Sequence, residues 1–135
     1  MTHGFEVILL ALTVWGEARG EDYKGKLAVA WVICNRARFQ ETRLSRIVLK
    51  AWQFSFWNTN DPSRDDISDI DERGPVWEQC LKAATGAYFK HTIDPTYGAE
   101  FYYNPSVVAK PSWWDTDTTP DSEVKIGDHV FRRRK

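Results

Sequence analysis

The chain has 135 residues, of which 42% are hydrophobic, and this is enough for one domain, residues 1–135, with a single core. Lys and Arg total 18 and Asp and Glu total 19, so the near-zero net charge argues against a dedicated nucleic-acid binder, which carries a basic face. Cys34 and Cys80 form no CxxC or Cys/His cluster, and we predict neither a metal site nor another cofactor. Each lies on the apolar stripe of a predicted helix, which favours buried free thiols and leaves a disulfide open.

The spacing of apolar residues predicts four helices. The first is apolar on every side, which indicates a buried element, and Arg19-Gly20 ends it. Ser45 has the chemistry of an N-cap for the third helix, and Pro75 is typical of the first turn of the fourth. The helices are predicted over about residues 5–18, 23–38, 46–52 and 75–90.

The remaining segments predict loops and small β elements. QFSFW, residues 53–57, is extended or turn-like because aromatic and polar residues alternate. Residues 58–74 form a polar loop whose acids lack the spacing of a calcium loop. Residues 100–104 have strand composition, 105–123 are predicted as loop, and 124–131 as a last short strand or turn. The whole is a mostly helical α+β domain.

The apolar run VILLALTVW, residues 7–15, has about the length of a signal-peptide core. No Lys or Arg precedes it, however, and no A-x-A-like cleavage site follows it. It is also too short to span a bilayer. We therefore predict no export signal, synthesis in the cytoplasm and no stable insertion into a membrane.

The stretch WGEARGE, residues 15–21, places two carboxylates four positions apart where the first helix ends. Cleavage of a glycosidic bond needs a carboxylic acid that keeps its proton near neutral pH, and apolar surroundings raise a carboxyl pKa. Glu17 is the candidate, since it follows a wholly apolar run at the negative end of the helix dipole. The alternative is a capping glutamate, or one paired with Arg19 or Arg36.

The segment WGEARGEDYKGKLAVAWVICNRAR, residues 15–38, resembles the opening motif of the SleB/CwlJ-type cell wall hydrolases, which are spore-cortex-lytic enzymes with relatives among phage endolysins. The resemblance resumes at QFSFW, at AEFYYNP (99–105) and at IGDHVF (126–131). Two features depart from the family: Asp128 stands where asparagine is usual, and the acidic loop 58–74 matches no part of it.

The resemblance implies a lysozyme-like domain, similar to the lytic transglycosylases, that acts on the glycan strands of peptidoglycan. Glu17 would protonate the oxygen between N-acetylmuramic acid and N-acetylglucosamine, then accept the C6 hydroxyl proton as a 1,6-anhydro ring closes. Muramidase-type hydrolysis would need a second carboxylate, either Glu21 or an acid from residues 61–72. Gly20 interrupts the helix that would align the two glutamates, so we predict Glu21 to be a structural partner for an arginine.

The resemblance also implies residues that bind the substrate. Gln53 and Ser55 match a family turn and are carried over as donors that orient the glycan; the alternative is a pair that stabilises a hairpin. Trp113 matches a family tryptophan and is predicted to stack on a sugar, whereas Trp114 is predicted to pack. His129 matches the family's IGxHVF histidine and is predicted to be structural.

Tyr102, Tyr103 and Asn104 match the family's FYYN motif, in which a tyrosine hydroxyl bonds the catalytic carboxyl. On a strand the two tyrosines face opposite ways, so only one of them can point at Glu17. All three are predicted as substrate-binding residues.

Two other classes of protein remain open. An N-acetylmuramoyl-L-alanine amidase would need zinc ligands, and His3, His91 and His129 occur in no HxxH or HxxE pattern. A non-catalytic wall-binding module would keep the fold without needing Glu17. The preferred prediction is a monomeric phage endolysin that reaches the wall after release by a holin.

Overall fold

A computed structural model of the chain describes residues 3–52 and 67–135. The predictions for QFSFW, including Gln53 and Ser55, and for most of the polar loop lie outside the described residues.

Within the described residues, four helices form most of the regular secondary structure, with bounds close to those predicted. Helices α1, α2 and α4 pack around one apolar core, which includes Leu10, Val29 and Ala84. α1 is not buried on every side, because Phe5 and Ile8 are exposed. Within the described ranges, no helix has both the length and the apolar character needed to cross a membrane. The helices are α1 (His3–Ala18), α2 (Tyr23–Phe39), α3 (Leu44–Trp52) and α4 (Pro75–Tyr88).

The start of α3 differs from the prediction. Ser45 lies inside the helix rather than at its N-cap, and its backbone N–H donates to Oε2 of Glu6 at 2.8 Å. Glu6 is buried on α1, so a distant carboxylate supplies the cap that a local hydroxyl was expected to provide.

After these four helices, residues 89–135 contain three short antiparallel strands: β1 (Phe101–Tyr103), β2 (Val124–Ile126) and β3 (His129–Arg132). β3 lies in the middle, with Tyr102 opposite Phe131 and Lys125 opposite Val130. Side chains alternate across a strand, so Tyr102 and Phe131 face the helical core. The opposite face carries Phe101, Tyr103 and Arg132.

The prediction that residues 105–123 are entirely loop is wrong. The terminal segment, predicted as a last short strand or turn, is a hairpin of two strands. A short helix, α5 (Trp114–Asp117), and one turn of 3-10 helix (Pro120–Ser122) interrupt the loop. Trp114 is buried as predicted, with the Tyr103 ring centroid 4.8 Å from its own and the Arg132 guanidinium 5.0 Å away. These contacts hold α5 against the sheet.

Both cysteines are free thiols. Burial raises the pKa of the Cys34 thiol to about 12 and that of the Cys80 thiol to about 11, so both thiols are protonated at neutral pH.

Candidate active site

Glu17 lies in the last turn of α1, half-buried, where the helices meet the sheet. The hydroxyl of Tyr102 on β1 forms a side-chain hydrogen bond with the Glu17 carboxylate. The structure therefore brings together two of the predicted site residues from positions 85 residues apart in sequence (102 − 17). Tyr102 is the tyrosine of the pair that points at Glu17.

The surroundings of Tyr102 keep its hydroxyl neutral. Burial raises the pKa of the Tyr102 hydroxyl well above its ordinary value, and the charge of Glu17 and the hydrogen bond to it raise that pKa further. Arg36 has the opposite effect on this pKa. Tyr102 is thus a neutral hydrogen-bond donor to the Glu17 carboxylate.

Arg19 interacts with the end of α1. Its Nη1 donates to the carbonyls of Trp15 and Gly16 at 3.3 and 3.1 Å, and its guanidinium lies 4.6 Å from the centroid of the Trp15 ring. Cationic donors at a helix C-terminus satisfy its free carbonyls and offset the negative end of the dipole. Arg19 therefore reduces the dipole effect that the sequence led us to expect at Glu17.

Glu21 has a different partner from the one predicted. Its Oε1 accepts a hydrogen bond from the backbone N–H of Asp128 at 2.9 Å and lies 2.8 Å from Nδ1 of His129. The prediction of an arginine partner is wrong, because the end of the β2–β3 hairpin reaches Glu21. The contact with Asp128 uses its backbone, so aspartate in place of the family's usual asparagine leaves this bond unchanged.

Two glycines make room for the Glu21 side chain. A Cβ at Gly25 would lie 2.7 Å from Cβ of Glu21, and a Cβ at Gly127 would lie 2.7 Å from its Oε2. Gly25 follows Asp22, whose carboxylate accepts from the Gly25 N–H and begins α2. Both glycines lie within the recognised motifs, but no local sequence pattern indicates that they contact Glu21.

The other predicted binding residues lie elsewhere on the sheet. Tyr103 packs against Trp114, on the face opposite Tyr102. Asn104 accepts hydrogen bonds from the N–H and the hydroxyl of Ser106, at 3.0 and 2.6 Å, which stabilises the turn after β1. Trp113 is 39% exposed and meets the Phe101 ring edge-on. Their roles in binding stay predictions.

In the two described segments, no group of three or more His, Cys, Asp or Glu side chains is placed to hold a metal ion. His129 pairs with Glu21, away from the other two histidines. His3 bonds the Tyr88 hydroxyl, and His3 and His91 both contact the Phe89 ring.

The architecture is that of known catalytic domains. The structure superimposes with a TM-score of 0.64 on the catalytic domain of the germination-specific lytic transglycosylase SleB from Bacillus anthracis, at 26% identity, covering 98% of this chain and 100% of that one. The catalytic domain of the Bacillus cereus SleB protein gives the same TM-score at 31% identity, covering 98% and 93% of the two chains. These likenesses confirm the predicted α+β, lysozyme-like fold.

Residues 20–132 match the model of the cell wall hydrolase family, and the chain belongs to this family. The spore cortex-lytic enzyme of Oceanobacillus iheyensis is 32% identical over 93% of this chain, and that of Bacillus subtilis is 27% identical over 93%. The chain spans 41% and 37% of the lengths of these two relatives. Glu17 lies just before the residues matched by the family model.

Proposed function

We propose that this domain cleaves the glycan strands of peptidoglycan between N-acetylmuramic acid and N-acetylglucosamine, as a lytic transglycosylase with Glu17 as its general acid and base. The observation that carries the proposal is the hydrogen bond between the hydroxyl of the partly buried Tyr102 and Glu17, at the junction of the helices and the sheet. The likeness to the catalytic domain of a lytic transglycosylase over 98% of the chain supports the same reaction.

The reaction needs one carboxyl group. Protonated Glu17 gives its proton to the glycosidic oxygen, the bond from that oxygen to C1 of N-acetylmuramic acid breaks, and N-acetylglucosamine leaves with a free hydroxyl. The neighbouring acetamido group stabilises the cation at C1. Glu17, now a carboxylate, takes the proton of the C6 hydroxyl while the C6 oxygen bonds to C1, which closes the 1,6-anhydro ring and restores the acid.

Tyr102 supports both halves of this cycle. Because its hydroxyl stays neutral, it donates to whichever Glu17 oxygen faces it and fixes the orientation of the carboxyl group. The proton-transferring oxygen is then presented to the glycosidic bond in one orientation, and such positioning is itself a source of rate enhancement.

Muramidase-type hydrolysis is the second candidate, with Glu21 as the base for water. The Glu21 side chain is only 11% exposed, and its Oε1 already contacts the Asp128 amide and His129. A carboxylate held in this way favours a structural role, and the single-carboxyl route is the one we propose.

The test is mass spectrometry of purified peptidoglycan after digestion by the wild-type chain and by Glu17→Gln. Glu78→Gln, on an exposed acid in the first turn of α4, is the matched control. We expect muropeptides that end in 1,6-anhydro-muramic acid with the wild type and the control, and none with Glu17→Gln. Reducing ends one water heavier would overturn the transglycosylase route in favour of hydrolysis. Free stem peptides that persist with Glu17→Gln would indicate an amidase, and binding without any cleavage would indicate a wall-binding module.

The endolysin role, holin-dependent release and the monomeric state are also proposals. Induction of the chain in the cytoplasm of a susceptible bacterium should lyse the cells only when a holin is made with it. Lysis by the chain alone would contradict this route to the wall. Light scattering of the purified chain should give the mass of one copy.

A further inference from the structure

A cleft of about 360 Å³ opens beside β1, one of the two edge strands of the described sheet. Its walls come from α2, α3 and β1, and from the segments that carry Trp113 and Arg134. Phe101 and Trp113 give it an aromatic side, and Ile47 adds an apolar side chain from α3.

The charge of this cleft is positive. Arg36, Lys50 and Arg134 line it, and no acid does so among the residues that the structure describes. Arg134 is bonded to Glu100 at 3.2 Å, whereas Arg36 donates only its Nε, to the backbone carbonyl of Glu100. The two Nη groups of Arg36 and the ammonium group of Lys50 have no acidic partner within the described residues.

Aromatic contacts hold the cations in place. The guanidinium groups of Arg36 and Arg134 lie 5.5 and 4.9 Å from the centroid of the Phe101 ring. Cations fixed over an aromatic ring lose little conformational entropy when an anion binds, and a guanidinium suits the bidentate recognition of a carboxylate.

Arg36 connects this cleft to the candidate active site. Its positive charge acts on the Tyr102 hydroxyl, which bonds Glu17, while its guanidinium borders the cleft. Arg36 is therefore shared by the cleft and the candidate active site, at a strand whose opposite faces carry Phe101 and Tyr102.

On the basis of the proposed function, we infer that this cleft binds the carboxylates of the stem peptide attached to the N-acetylmuramic acid at the cleaved bond. In peptidoglycan the stem peptide is attached to the lactyl group of that sugar. It is extended and carries free carboxylates. Arg36 and Lys50 pair with these carboxylates, and Phe101 and Trp113 pack against the aliphatic parts of the peptide. The enzyme then prefers glycan that carries peptides over bare glycan.

The test compares two substrates made from one preparation of peptidoglycan freed of teichoic acid, so that phosphate groups are absent. One keeps its stem peptides, and the other has lost them to a purified amidase. Lys50→Gln and Lys50→Glu probe the cleft without altering Glu17 or Tyr102. Lys24→Gln, on an exposed lysine in the first turn of α2, is the matched control.

On the peptide-bearing substrate, we expect Lys50→Gln to raise KM about 3-fold and Lys50→Glu to raise it about 10-fold, with kcat unchanged, as for removal of uniform binding. On bare glycan both variants should match the wild type, and Lys24→Gln should match it on both substrates. Equal losses on the two substrates, or no loss on either, would overturn the inference. If the wild type cleaves bare glycan but shows no preference for the peptide-bearing form, the inference fails while the proposed function stands. If the wild type cleaves neither substrate, the proposed function itself fails.

Discussion

Nδ1 of His129 lies 2.8 Å from Oε1 of Glu21, although 108 positions separate the two residues in sequence. The His129 ring also meets the Tyr102 ring edge-on, with the centroids 5.3 Å apart, and the Tyr102 hydroxyl bonds Glu17. The second glutamate of WGEARGE thus supports the first through the hairpin. This is a physical reason for two carboxylates four positions apart when only one of them acts in the proposed reaction.

Removal of either partner of the Glu21–His129 pair should destabilise the fold and slow the reaction. Glu21→Ala leaves the Asp128 amide and the largely buried imidazole without their acceptor, a loss of about 1–3 kcal/mol in the free energy of unfolding. Because Tyr102 then loses a neighbour that positions it, kcat should fall more than KM rises. Urea unfolding and steady-state kinetics measure the two effects.

A double-mutant cycle with His129→Ala separates the pair from its surroundings, with an expected coupling energy of about 0.5–3 kcal/mol. Glu21→Gln is the conservative control, because its amide oxygen still accepts from the Asp128 N–H. Additive losses in the cycle, or an unchanged kcat in Glu21→Ala, would contradict the arrangement.

Gly127 should tolerate alanine poorly, for two reasons that can be separated. Its φ is +59°, a conformation that L side chains rarely adopt, and an added Cβ would lie 2.7 Å from Oε2 of Glu21. Gly98 has φ +91°, but a Cβ there would meet only Cδ of Arg133, at 3.7 Å. We expect Gly127→Ala to lower the melting temperature more than Gly98→Ala does. The extra loss should shrink when Glu21 is also alanine, and its persistence in that background would show that the clash is not the cause.

Features encoded by local sequence were predictable. Helix periodicity gave the helix bounds, and the alternation of a strand gave the opposed faces of Tyr102 and Tyr103, which are the basis of the contact between Tyr102 and Glu17. Neither prediction depends on how distant segments of the chain pack.

Features set by tertiary packing were missed. Ser45 has the right chemistry for an N-cap, but buried Glu6 from another helix takes that role. The partner of Glu21 is a histidine because the hairpin turn reaches the α1–α2 junction, and no local pattern encodes that approach. The short helix that begins at Trp114 was not predicted, because the Arg132 guanidinium and the Tyr103 ring that hold Trp114 come from two separate strands.

The cap on α3 should be measurable as an interaction between α1 and α3. Glu6→Ala removes the acceptor of the Ser45 N–H, which should lower the free energy of unfolding by about 0.5–2 kcal/mol, the range for losing a helix cap. Glu6→Gln keeps an acceptor oxygen and should lose less. Glu78→Ala, on an exposed first-turn acid of α4, should lose only about 0.3–1 kcal/mol, the contribution of a charge near a helix N-terminus. Urea unfolding of the three variants tests the ranking, and equal losses in Glu6→Ala and Glu6→Gln would contradict a capping role.

The raised pKa of the Tyr102 hydroxyl should make the fold sensitive to alkali. Its pKa is raised well above 10.0, first by burial and then by Glu17, so it stays protonated in the folded state where the unfolded chain ionises. Its contribution to stability is therefore complete below about pH 10 and is lost as the pH rises toward the folded value, with a slope of up to about 1.4 kcal/mol per pH unit. Cys34 and Cys80 act in the same direction, because burial raises their pKa values to about 12 and about 11.

Urea unfolding from about pH 8 to about pH 11 should therefore give a shallower alkaline decline for Tyr102→Phe than for the wild type, both with the thiols intact. Tyr97→Phe, on a tyrosine that is 74% exposed, should keep the wild-type decline. The ultraviolet absorbance of phenolate should contain a component that appears only on unfolding, and Tyr102→Phe should lack the contribution of Tyr102 to it. Identical declines in all three proteins would mean that the Tyr102 hydroxyl titrates freely in the folded state, which is incompatible with its burial against Glu17.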